Sequence, residues 1–198
     1  MSVTPERFAQ GMTWSEYKAQ MTRNLDRAEE NERSVTLSDD DVAFFAALPA
    51  PIHALVITED WCGDAIANVP VLARLAEESG KLDMRLFLRD QNLDLIDQYL
   101  KEGKYRSIPV FVFFDGEFNE LGHFIERPAV MTGLMQQAMG ELFATEPAMA
   151  GVAPGTSPAE MPEAARNRMG QFFGEHRAKT RDQSDAEVIK SVREIIGK

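Results

Sequence analysis

Thr58-Glu59-Asp60-Trp61-Cys62-Gly63-Asp64-Ala65 is the stretch that decides how the rest of the chain is read. Before it, Ile52 to Thr58 is a short apolar run rich in β-branched residues, which predicts a buried strand. After it, Cys62 to Ser79 carries Ile66, Val69, Leu72, Ala73 and Leu75 on one side and stops at Gly80, which predicts a helix. The octet is therefore a strand-to-helix junction with a cysteine at the helix start. A thiol placed there meets unsatisfied backbone N–H groups and the positive end of the helix dipole. Both favour the thiolate, which is the reactive form.

Working outward, Leu82 to Leu88 reads as a second strand, and Leu93, Ile96, Tyr99 and Leu100 as one face of a helix closed by Gly103. Val110 to Phe114 and Glu120 to Ile125 are two more strands, joined through Asp115-Gly116, a hairpin signal. Pro128 to Leu142 is the next helix. The order β-α-β-α-β-β-α predicts an α/β fold: parallel neighbours from the strand-helix-strand units, an antiparallel pair from the hairpin, and helices on both faces of a mixed sheet. On the N-terminal side, Thr13-Trp14-Ser15-Glu16 is a capping box opening a helix to about Glu32, and Ser38 opens a shorter one ended by Pro49. On the C-terminal side, residues 146–163 are rich in Pro, Ala, Gly and Ser and read as a linker. A helix over 164–179 follows, and a second capping box at Ser184 opens the last one. The expected organisation is a helical extension over 1–50, the α/β domain over 51–145, a linker over 146–163 and a helical tail over 164–198. That tail either folds back on the domain or meets a partner.

With 198 residues, 44% of them hydrophobic, the chain can bury one sizeable core. A net charge of -11 argues against nucleic acid, whose binders cluster Lys and Arg, and against an anionic membrane surface. No apolar run approaches a membrane span, and no signal peptide is seen, so a cytoplasmic location is expected. The sequence holds one cysteine, so no disulfide can close within the chain. His53, His123 and His176 are scattered without ligand spacing, and no metal site is expected.

The junction resembles the active site of the thioredoxin superfamily. Trp61-Cys62-Gly63 matches its Trp-Cys-Gly. Pro70 matches the proline that kinks the active-site helix, and Ile108-Pro109 the Ile-Pro whose cis proline faces the sulfur. The resemblance runs from about Pro51 to Leu142 and implies a thioredoxin-like sandwich. The chain further resembles a bacterial thioredoxin-like branch with the same Glu-Asp-Trp-Cys-Gly-Asp-Ala string, an Arg-Ser-Ile-Pro segment (Arg106 to Pro109) and an Arg-Pro pair (Arg127-Pro128). Three departures stand out. Ala65 replaces the resolving cysteine, so Cys62 cannot release a mixed disulfide by internal attack. Val56 stands where the family keeps a buried acid. Asp64 replaces a proline and, with Glu59 and Asp60, predicts a Cys62 less acidic than the family's usual one.

Two functional readings follow. In the first, the chain is a monothiol disulfide oxidoreductase. Cys62 is its nucleophile, Asp64 and Pro109 stand beside it, and a protein or a low-molecular-weight thiol such as glutathione is partner and co-substrate. Trp61, Gly63, Ile108, Arg106 and Arg127 then line the substrate side. In the second, the fold is a redox-inactive binding or scaffold module with a retained cysteine. A glutathione-dependent transferase is a third option, although this tail is short for the helical domain such enzymes add. Pro109 either lines a peptide groove or makes a structural turn, and Trp61 either rims the site or packs in the core. Arg106 and Arg127 pair with Asp60 or Asp64, bind an anionic group such as a glutathione carboxylate, or form ordinary surface ion pairs.

Overall fold

The computed structural model describes residues 3–197; Met1, Ser2 and Lys198, the outermost residues of the expected extension and tail, lie outside the described residues. Four strands, β1 (Ile52–Thr58), β2 (Leu82–Leu88), β3 (Val110–Phe114) and β4 (Glu120–Ile125), form one sheet in the order β2-β1-β3-β4. β1 and β2 run parallel, with Ile52 opposite Leu82 and Thr58 opposite Leu88. β3 runs antiparallel to β1, and β4 antiparallel to β3. The hairpin turn is held by Asp115, whose carboxylate accepts the N–H groups of Glu117 and Asn119 at 2.8 and 2.9 Å. The second strand-helix-strand unit thus does not make parallel neighbours: β3 sits on the far side of β1 and reversed. Its expected helix is also shorter, since α6 spans only Leu93–Ile96.

β3 is apolar along its whole length, and β1 between His53 and Thr58, because both faces are covered. Ala54, Val56, Leu86, Phe111 and Phe113 point into one core cluster, together with Val69, Leu72 and Leu75 of α5 (Gly63–Ser79). Leu55, Ile57, Val110, Val112 and Phe114 alternate to the other face. There they meet Phe8 of α1 (Pro5–Phe8), Leu95 and Ile96 of α6, and Tyr99.

The N-terminal extension is built differently from expectation. The Thr13 capping box is present, but the helix it opens is split into α2 (Trp14–Gln20) and α3 (Leu25–Ser34). The break has a physical cause. The Asp60 carboxylate accepts the backbone N–H groups of Thr22 and Arg23 at 2.7 and 3.0 Å, which takes those donors away from a continuing helix. Asn24 then turns the chain with φ +57, a left-handed conformation that asparagine tolerates. Further upstream, Met12 and Leu86 exchange backbone hydrogen bonds at 2.9 and 2.8 Å, which stitches the extension to the outer side of β2. Next along the chain, Ser38 caps α4 (Asp39–Ala46) as expected.

The chain divides into two compact units, 3–128 with 185–197 and 129–184. The second contains α7 (Ala129–Thr145), a short turn at Pro147–Met149 and α8 (Glu163–Lys179), around Met135, Leu142, Met149, Met161, Met169 and Phe172. Segment 146–163 therefore buries two methionines of that core. The last helix, α9, spans Arg181–Ile196 and starts before the predicted Ser184 box; Ser184 lies inside it, bonded to the Thr180 carbonyl at 2.8 Å. Val188, Ile189 and Val192 of α9 are buried in the first unit's core. No helix among the described residues is long and apolar enough to cross a membrane.

Candidate functional site

The site lies at the end of the sheet where β1 hands over to α5. Cys62 is the N-cap of α5: its backbone is extended, and its carbonyl accepts the Ile66 N–H at 3.0 Å. Its side chain is half-buried and packs against both core clusters, so it closes the seam between the two faces. The thiol Sγ donates to the Ile108 carbonyl oxygen at 3.4 Å. The Ile108–Pro109 peptide bond is cis, and both residues are buried. Cys62, Ile108 and Pro109 are therefore brought together, with Gly63 as the first residue of the helix.

Proline at position 70 cannot donate to the Ile66 carbonyl one turn back, because it has no N–H. Asn31 of α3 supplies the missing donor: its Nδ2 reaches the Ile66 carbonyl at 2.7 Å. The extension is thus wired into α5 as well as into Asp60.

The acids around the sulfur all carry partners. Glu59 accepts the Asp90 N–H at 3.0 Å. Asp60 holds the α2–α3 break, and its backbone carbonyl accepts Asn24 Nδ2 at 2.8 Å. Asp64, in the first turn of α5, is ion-paired with Arg127. Val56 is fully buried in the apolar cluster, with no acid beneath the cysteine at that position.

Of the two arginines singled out, Arg127 joins the site and Arg106 does not. Arg106 is exposed and forks onto Asp97 through Nε and Nη2 at 2.6 and 2.9 Å. Arg127 is delivered by a tight turn. Glu126 has φ +64, its N–H donates to the Pro109 carbonyl at 2.7 Å, and its carboxylate takes Lys101 Nζ at 2.7 Å. The buried Asn68 of α5 completes the turn by donating Nδ2 to the Glu126 carbonyl at 2.9 Å. Trp61 is 44% exposed, on the surface rather than in the core, and the Arg89 guanidinium lies 4.9 Å from its ring centre.

Sequence reasoning missed Asn68, Glu126, Lys101, Arg89 and Tyr17. Asn68 had a signal: it is a polar residue among the apolar residues of a helix face. Tyr17 had none. It comes from α2, is 1% exposed, and sets its hydroxyl beside that of the buried Thr58 at the end of β1. Burial pushes the phenol up to about 12; the Thr58 hydroxyl works against this, and Asp60, Glu59 and Cys62 add to it. Tyr17 is therefore a neutral hydroxyl under the junction.

A family model described as Thioredoxin matches residues 11–139. No curated protein matches the chain. Solved structures share its fold, two of them as follows. One is a Pseudomonas aeruginosa protein of unknown function, 21% identical, covering 73% of this chain and 89% of its own, with a TM-score of 0.62. The other is an HIV epitope-scaffold, 18% identical, covering 97% of this chain and 96% of its own, with a TM-score of 0.63.

Proposed function

The chain belongs to the thioredoxin family, and from that premise we propose that Cys62 is a single-cysteine nucleophile for disulfide exchange with a low-molecular-weight thiol or a protein thiol. The observation that carries this reading is the position of the lone sulfur: half-buried at the N-terminus of a long helix, against the Ile108 carbonyl. The chemistry follows from the atoms. The thiol releases to solvent the proton it donates to the Ile108 carbonyl, and the thiolate takes hydrogen bonds from the first turn of α5 instead. It attacks one sulfur of a disulfide, the old S–S bond breaks, and the leaving sulfur departs as thiolate. Cys62 is left in a mixed disulfide. With Ala65 at the resolving position, a second thiol from solution must attack that bond, which returns Cys62 as thiolate and forms a new external disulfide. A glutathionylated protein thiol is a disulfide suited to the first step, and reduced glutathione a thiol suited to the second.

The binding-module reading draws on a different feature: the thiol is engaged as a donor, and each nearby acid named above has its own partner. One measurement separates the two. Reduced protein is incubated with oxidised glutathione and its intact mass is followed, with Cys62→Ser as control. Rapid gain of one glutathionyl group on the wild type alone is the expected result. No gain on the folded protein, with ready modification after denaturation, overturns the proposal in favour of the binding module.

A further inference from the structure

We propose that Arg127 is a positioning residue for the Cys62 thiol, neutralising Asp64 so that the start of α5 remains favourable to the thiolate. The inference rests on Cys62 being the nucleophile. Asp64 stands two residues after Cys62 in the first helical turn, and the side chains of Asp64 and Arg127 are only 14% and 17% exposed. A pair this sheltered is screened far less than a surface ion pair. An uncompensated carboxylate there would oppose the charge that the helix terminus stabilises.

The guanidinium is also delivered by the same backbone that receives the thiol. Cys62 bonds to the Ile108 carbonyl, and the next carbonyl, that of Pro109, anchors Glu126, one residue before Arg127. Buried Asn68 holds the other side of that turn, and the Arg127 N–H bonds to the Ile125 carbonyl at 2.8 Å. The other charged groups around the junction are spent elsewhere. Glu59 is on the Asp90 N–H, Asp60 on Thr22 and Arg23, Glu126 on Lys101, Arg89 on Asp90 and Trp61, and Arg106 on Asp97. Glu126 lies 4.0 Å from Arg127 but has its closer partner in Lys101 at 2.7 Å. Tyr17 stays neutral. The Asp64–Arg127 pair thus sets the charge in the first turn of the helix that Cys62 caps.

The test is a pH titration of the full chain by thiolate ultraviolet absorbance. Arg127→Gln should move the Cys62 midpoint up, on the order of one pH unit. Asp64→Asn, which leaves the arginine unopposed, should move it down. Arg127→Lys should stay near wild type, and the double variant Asp64→Asn with Arg127→Gln should return close to it. If Arg127→Gln does not fold, Asp64→Asn decides alone: no shift, or a shift up, overturns the proposal. Loss of thermal stability without movement of the midpoint in either single variant also overturns it, because a purely structural pair gives that pattern. The titration reads protonation and the glutathione adduct reads reactivity, so failure of one is distinct from failure of the other.

Discussion

Pro70 costs α5 a backbone hydrogen bond in its second turn, and Asn31 makes that loss good at the carbonyl of Ile66, 35 positions along the chain. Removing the amide leaves a buried acceptor without its donor. A buried group stripped of its partner costs about 1–3 kcal/mol. Asn31→Ala should therefore lower the unfolding free energy in urea by an amount in that range, as a lower midpoint at unchanged slope; an unchanged midpoint would show that water replaces the amide. At this scale the sequence was legible where partners are close in the chain. Trp61-Cys62-Gly63 at a helix start could be read, and so could the Thr13–Glu16 box, because each is a local pattern. The ties of Asp60 to Thr22, of Asp64 to Arg127 and of Asn31 to Ile66 could not, since no local spacing records a contact made by the folded chain.

At the scale of elements, all four strands were legible to the residue: β1 and β3 are short, mostly apolar runs beginning after Pro51 and Pro109, β2 alternates apolar residues after Gly80, and the Asp115-Gly116 turn sets β4 after β3. Helices were less so. Apolar spacing continued across residues 21–24, yet a carboxylate from the β1–α5 junction claims the N–H groups there and divides the helix. The Ser184 box was overridden as α9 began earlier. The docking of α9 on α4 brings its own prediction. Arg193 reaches Asp41 at 2.6 Å and Asp40 at 2.7 Å. Burial raises the Asp41 carboxyl, but Ser38 and Arg193 together outweigh it and hold the group below its ordinary value of 3.8. A carboxyl that is more acidic when folded binds fewer protons than in the unfolded chain, so its stabilisation is present above that ordinary value. It is lost as pH falls through the folded one. Arg193→Gln should thus be less stable than wild type in urea at neutral pH, and the difference should vanish below the titration of Asp41. A difference that persists in strong acid would assign the effect to the packing of Arg193 on Phe44, whose ring centre is 4.5 Å away.

For the whole molecule, the sequence did not reveal the destination of the tail. Residues 185–197 belong to the same compact unit as 3–128, and the contact of Arg193 with Asp40 spans 153 positions. Amphipathic spacing told which face of α9 would be buried but not against what, because Val188, Ile189 and Val192 would suit any apolar surface. Their burial in the first core makes that core discontinuous in the chain. Each such side chain is worth about 1.5–3 kcal/mol when fully buried. Three together approach the 5–15 kcal/mol or so that holds an ordinary domain folded. A chain ending at Ser184 should therefore lose most of its folding stability, read as a collapse of the thermal midpoint followed by circular dichroism. It should lose it even though the Trp61-Cys62-Gly63 junction and every strand are intact. Adding back a synthetic peptide of residues 181–198 should raise the midpoint in a concentration-dependent way, since a segment that binds only the folded state stabilises it by mass action. A truncated chain that melts at the wild-type temperature would show that the first core closes without α9.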